Sequence, residues 1–82
     1  MAETVVVTYF AALVDAVGCH REELTVTEAT VGGLRRAVAA RHGRRAGELA
    51  GHCCVLDGDD LLRDDAAPIG GEVDLLPPFA GG

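Results

Sequence analysis

Val73-Asp74-Leu75-Leu76-Pro77-Pro78-Phe79-Ala80-Gly81-Gly82 reads as a strand, a stop and a thread. The apolar run Val73 to Leu76 marks a last β-strand. Pro77 and Pro78 cannot donate ladder hydrogen bonds and hold the backbone extended, so the strand stops there. The chain divides into a domain of residues 1–78 and a protruding tail of residues 79–82. Fully extended, Phe79, Ala80, Gly81 and Gly82 reach about 13–14 Å, enough to enter another protein's active site. Gly81 and Gly82 lack a Cβ, so the terminal carbonyl carbon is open from either face. A carboxylate is a poor electrophile. It reacts once converted to a mixed anhydride such as an acyl-adenylate, which a thiol, persulfide or amine then attacks. A frayed Gly-Gly end is the bland alternative. The strand, the Pro-Pro stop and the small size of the domain favour a working thread.

The rest of the composition excludes much. At 82 residues the chain is one domain. A domain of this size buries only roughly 60% of its unfolded surface. Hydrophobic residues make up 49%, yet the aromatics are only Tyr9, Phe10 and Phe79, so the core must be built from Val, Leu and Ala. A net charge of −6 argues against a nucleic-acid partner and for a partner with a basic face. Lys, Ser, Asn, Gln and Trp are absent. There is thus no Walker A loop and no serine nucleophile, and since no G-x-G-x-x-G occurs there is no dinucleotide fingerprint. Val5 to Val14 followed by Ala16-Val17-Gly18-Cys19 imitates a lipoprotein signal, but Glu3 and Asp15 contradict it. The run is too short to span a bilayer, so the expectation is a cytoplasmic protein without a membrane partner.

Three cysteines, an odd number, fit a reducing compartment. Cys53 and Cys54 are neighbours whose side chains would point to opposite faces of a strand. No C-x-x-C or H-x₃-H spacing supports a metal site. Asp57-Gly58-Asp59-Asp60 imitates a calcium loop, but Leu62 stands where glycine is required and Pro68 where glutamate is required. The aspartates from 57 to 65 read as a solvated acidic turn.

Working outward, Val5 to Phe10 is a β-branched and aromatic first strand. Ala11 to Val17 predicts about two helical turns closed by Gly18. Leu24 and Val26 alternate with polar residues and predict a half-buried strand, paired with the first. Thr30 reads as an N-cap of a long helix with Val31, Leu34 and Val38 on its inner face, closed by Gly43. Gly32 and Gly33 cost helicity in its first turn, which a close packing contact would justify. Residues 44–51 read as a loop or a short helix. Cys53 to Leu56 is a third strand turning at Asp57-Gly58, with Leu61 and Leu62 beyond. The expected class is α+β, a mixed sheet packed on one main helix.

The order of elements, the size and the ending resemble the MoaD/ThiS-like β-grasp, ubiquitin-like sulfur carriers. They are most similar to the small, sulfur-carrying subunit of molybdopterin synthase. The likeness rests on Val5-Val6-Val7-Thr8-Tyr9-Phe10-Ala11, Gly18, Thr30-Val31-Gly32-Gly33-Leu34-Arg35, Val55-Leu56-Asp57-Gly58 and, above all, Gly70 to Gly82. Val14-Asp15 departs from the Arg-Glu often found there, Asp57-Gly58 from Asn-Gly, and Gly71 from Asp. The resemblance implies no bound cofactor and no metal. It implies a carrier whose Gly82 carboxylate is adenylated with ATP by a ubiquitin-activating-enzyme-like adenylyltransferase. A persulfide donor then makes the thiocarboxylate. The carrier would dock on the large synthase subunit, in a heterotetramer, and give sulfur to the pyranopterin precursor. In that scheme Gly82 carries the sulfur and Gly81 keeps the thread thin. Pro77, Pro78, Phe79 and Ala80 set its path, and Phe10, Leu61 and Leu76 form an apolar docking patch. This subunit has no active site of its own. Alternatives are a carrier for thiamine or cysteine synthesis, a ubiquitin-like protein modifier, and an inert β-grasp binding module.

Overall fold

Strand β1 spans Glu3–Tyr9, and its alternation sends Val5, Val7 and Tyr9 to one face of the sheet, where all three are buried. Helix α1 (Ala12–Val17), β2 (Arg21–Val26), α2 (Val31–His42), α3 (Arg44–Gly51), β3 (Cys54–Asp57), β4 (Asp60–Leu62) and β5 (Glu72–Leu76) follow. The computed structural model describes residues 2–77. Pro78, Phe79, Ala80, Gly81 and Gly82 of the expected thread lie outside the described residues.

The strands form one sheet in the order β2-β1-β5-β3-β4. β1 and β5 run parallel; the other pairs are antiparallel. The last strand therefore inserts between the first and the third. The helices cover one face, where Leu34 and Val38 of α2 and Leu13 of α1 are fully buried with Val55 and Leu75 of the sheet. Among the described residues the core is mostly Val, Leu and Ala, joined by Cys53 and Ile69, with Tyr9 as its one large aromatic. No helix among the described residues is long and apolar enough to cross a membrane.

Two sequence expectations are adjusted, and one left open is decided. The first strand ends at Tyr9 and the first helix begins at Ala12, because Phe10 to Leu13 form a tight turn. Ala11 sits at φ 55°, ψ −129°, and the Leu13 N–H donates to the Phe10 carbonyl at 3.2 Å. This is type II′ geometry, whose first central position favours glycine. Of the two readings of residues 44–51, a loop or a short helix, the structure forms the helix. Gly47 lets α3 lie against α2, since a Cβ there would stand 2.5 Å from Ala39 Cβ. The third strand begins at Cys54; Cys53, just before it, is buried.

The start of α2 explains its glycines. Thr30 Oγ1 accepts the Gly33 N–H at 3.0 Å, the N-cap contact. A Cβ on Gly33 would lie 2.0 Å from the Glu28 carbonyl oxygen. Arg35 joins α2 to the end of α3 and the start of β3: its guanidinium donates to the carbonyls of Ala50 (3.1 Å) and Cys53 (2.6 Å) and to the Asp65 carboxylate.

One carboxylate is drawn toward the helix-covered side. Glu22, in register with Val7, has a side chain only 12% exposed. It accepts from Tyr9 Oη at 2.5 Å, forms an ion pair with Arg41, whose Nε lies 3.0 Å away, and bonds to His42 Nε2. The Tyr9 and His42 rings meet edge to face. Burial pushes the Glu22 pKa up. The hydrogen bonds from Tyr9 and His42 and the charges of His42 and Arg41 outweigh it, so the carboxyl sits below its ordinary value. Burial, then the bond to Glu22, raises the Tyr9 phenol. Among the described residues no buried side-chain polar atom lacks a partner.

Candidate functional site: the open sheet face beside the end of strand β5

The helices leave the opposite face of the sheet uncovered. Register shows what stands there. Leu76 pairs with Cys54, and Leu56 pairs with both Asp74 and Leu61. Directly paired residues share a face. Leu76, Cys54, Leu56 and Leu61 therefore form an apolar strip running from the end of β5 across β3 to the edge strand β4. Leu61 is 51% exposed, and Leu56, Cys54 and Leu76 are half-buried. Phe10 is 40% exposed and follows directly on Tyr9, which pairs with Leu75. The parallel pairing of β1 and β5 thus sets Phe10 at the same end of the sheet as Leu76.

Phe10 and Leu61 are the exposed large hydrophobic residues among the described ones. Phe10 is therefore not a core residue. Its position is held by the strained Ala11 beside it, a conformation that costs a non-glycine residue about 1–3 kcal/mol. The sequence singled out Phe10, Leu61 and Leu76 but missed Leu56 and Cys54. Their i, i+2 spacing on a strand carries the signal, since it places both on one face.

Pro77 follows Leu76 and is half-buried. The parallel and antiparallel pairings bring the ends of β1, β4 and β5 and the start of β3 to one end of the molecule. Pro77, the last described residue, therefore stands at the same end as Phe10, Cys54 and Arg63. Arg63 Nε donates to Cys54 Sγ at 3.2 Å. The strip has an acidic border: Asp74 stands in its own row, and Asp59, Asp60 and Asp64 are exposed around β4. The aspartate turn has an internal task as well, because Asp57 Oδ2 accepts the Gly70 N–H at 2.9 Å and so ties the β3–β4 turn to the loop before β5. Gly58, at φ 62°, makes that turn.

The cysteines divide as strand alternation requires. Cys53 is buried, its Sγ donates to the Leu49 carbonyl at 3.0 Å, and burial pushes its thiol pKa up to about 11. It is a core residue with little thiolate at neutral pH. Cys54 faces the open side.

This mixed five-stranded sheet, closed on one face by helices and ending in a central strand that opens at the rim of an apolar strip, defines a β-grasp, ubiquitin-like domain. The ThiS family model matches residues 7–82, and the chain belongs to the ThiS family. The structure is similar to that of SAMP1 from Haloferax volcanii, with a TM-score of 0.69 and 28% identity, covering 98% of this chain and 100% of that one. A second structure of H. volcanii small archaeal modifier protein 1 gives a TM-score of 0.66 at 28% identity, over 93% and 98% of the two chains. No curated protein sequence matches.

Proposed function

We propose that this protein is a sulfur carrier of molybdopterin synthesis, with Gly82 as the carrying residue. The observation that carries the reading is the apolar strip at the rim where β5 ends, bordered by acidic residues. Such a strip suits a partner that grips the domain there and receives the chain beyond Pro77. The acidic border and the net charge of −6 suit a partner face carrying Arg and Lys.

The reaction runs in three steps. A ubiquitin-activating-enzyme-like adenylyltransferase joins the Gly82 carboxylate to AMP, releasing pyrophosphate from ATP. A persulfide attacks the acyl carbon and displaces AMP. A thiol then cleaves the sulfur–sulfur bond, leaving a thiocarboxylate on Gly82 and a disulfide on the donor. The carrier docks through Phe10, Leu56, Leu61 and Leu76 on the large subunit of molybdopterin synthase. The thiocarboxylate delivers its sulfur to the pyranopterin precursor in that subunit's active site. Gly81, Ala80, Phe79, Pro78 and Pro77 make the thread that reaches it. The acid and base groups belong to the partner.

The similarity to small archaeal modifier protein 1 favours a second reading, in which the activated glycine is passed to an amine and the domain becomes a protein modifier. Intact mass spectrometry of the protein from its own host, before and after a thiocarboxylate-selective reagent, separates the two. A mass gain of one oxygen-to-sulfur exchange mapped to Gly82 supports the carrier. An amide bond between Gly82 and a lysine of another protein supports the modifier. An unmodified Gly82 under both conditions refutes both.

A further inference from the structure

The sheet has two edges, and they differ. β4 is three residues long and begins at Asp60, whereas β2 is an edge strand of six residues. The Tyr9 N–H donates to the His20 carbonyl at 2.7 Å. Antiparallel pairs alternate between bonded and non-bonded, so Val7–Glu22 and Val5–Leu24 are the bonded pairs. The N–H and C=O groups of Glu23 and Thr25 therefore point away from β1, along the free edge. An open groove of about 300 Å³ lies at that place, lined by Glu23, Leu24 and Thr25 of β2 and by Ala37, Ala40 and Arg41 of α2. Two alanines on the helix leave the space beside the strand.

We propose that this edge and groove form a second docking site, which takes an extended peptide segment of a partner protein as an added antiparallel strand. Its four outward backbone groups supply the hydrogen bonds of strand addition. The side chains state what the segment carries. The residue opposite Leu24 points to the helix side, over Ala37 and Ala40, and is a branched apolar residue such as valine. The next lies opposite Glu23 on the open side, where an exposed carboxylate calls for a lysine or arginine. The one after lies opposite Glu22 on the helix side and meets Arg41, whose side chain is 61% exposed and which approaches Glu22 through Nε at 3.0 Å. An aspartate or glutamate there pairs with the remaining nitrogens of the guanidinium. The site is separate from the apolar strip: it lies at the opposite edge of the sheet.

The test uses the isotope-labelled full chain and the capped peptide Val-Thr-Val-Lys-Asp-Thr. Binding is expected on the order of 0.1–1 mM, with amide shifts centred on Glu23, Leu24 and Thr25. N-methylation of the peptide's lysine amide removes a strand hydrogen bond and is expected to weaken binding roughly tenfold or more. Thr25→Pro removes an outward N–H, a change edge strands tolerate, and should also weaken binding roughly tenfold with the melting profile retained. Ala40→Arg fills the groove from an exposed helix position and serves the same purpose if Thr25→Pro unfolds. Glu23→Lys should exchange the preference for the peptide's lysine to one for glutamate. Equal binding of the N-methylated peptide overturns the proposal, as does an absence of shifts at β2. Concentration-dependent shifts at β2 without peptide overturn it in favour of a second copy of this chain.

Discussion

The two faces of the sheet invert the ordinary rule. On the helix-covered side a carboxylate, Glu22, is nearly enclosed; on the open side Phe10 and Leu61 stand in water. The enclosed carboxylate is complete within the domain, since Tyr9, Arg41 and His42 reach it from β1 and from the end of α2. The apolar strip is incomplete, since no element among the described residues covers it. Polar groups that are satisfied inside hold a fold together. Apolar groups left outside suit a partner. On the proposed reading, stability and partner docking divide between the faces, and substitutions should separate them.

The largest effect is expected on the covered side. Gly33→Ala drives a methyl into the Glu28 carbonyl, 2.0 Å from the built Cβ, and should destabilise the domain by about 3 kcal/mol in urea unfolding. A near-neutral result would mean that the start of α2 yields and that the covered side is looser than its packing shows. Glu22→Ala removes the shared acceptor and should cost about 2 kcal/mol, leaving the Tyr9 hydroxyl, the Arg41 guanidinium and the His42 ring without it. Its cost should fall when Tyr9→Phe is already present, which a double-mutant cycle measures.

The same cluster predicts a pH dependence. The Glu22 carboxyl is held below its ordinary value in the fold, so the unfolded chain binds that proton more readily. Its contribution is fully present above the unfolded carboxylate pKa of about 4.3 and is lost as pH falls through the lower folded value. Thermal melts should show a drop below that point, shallower in Glu22→Gln than in the wild type.

At the rim between the faces, Ala11→Gly relieves the positive φ and should stabilise the domain by about 1 kcal/mol. It should also loosen Phe10, so a gain in stability with weaker partner docking would tie the strained turn to function. On the open face Leu61→Asp should change stability by no more than about 0.5 kcal/mol while reducing partner capture. A large loss of stability instead would make Leu61 part of the fold and erase the contrast.

Much of this was legible in the sequence. The alternation of β1 and β2, the Thr30 cap, the Gly43 stop and the inner face of α2 are local patterns, and they appear where periodicity put them. The need for a close contact at Gly32-Gly33 was legible too, though not its partner, the Glu28 carbonyl. The site was legible in part. Phe10, Leu61 and Leu76 were marked, and the first and last of them fall at one end of the sheet. Leu56 was passed over because strand residues in an apolar run read as core. Only the register with Asp74 and Leu61 shows that its side chain faces out. Glu22 was read as one polar position in an alternating strand. Its partners Tyr9, Arg41 and His42 lie thirteen to twenty residues away in the chain, beyond any local pattern.

The sequence by itself determined the elements, the absence of the serine, P-loop and dinucleotide motifs, and the glycine thread after two prolines. These follow from residue type and spacing over a few positions. The tertiary structure alone decided that β5 inserts between β1 and β3. That choice sets Phe10 beside Leu76, lines Leu56 and Leu61 into one strip, and leaves β2 as the long free edge. Strand order is fixed by burying one whole face under three helices, a condition on the entire chain that no short stretch can express.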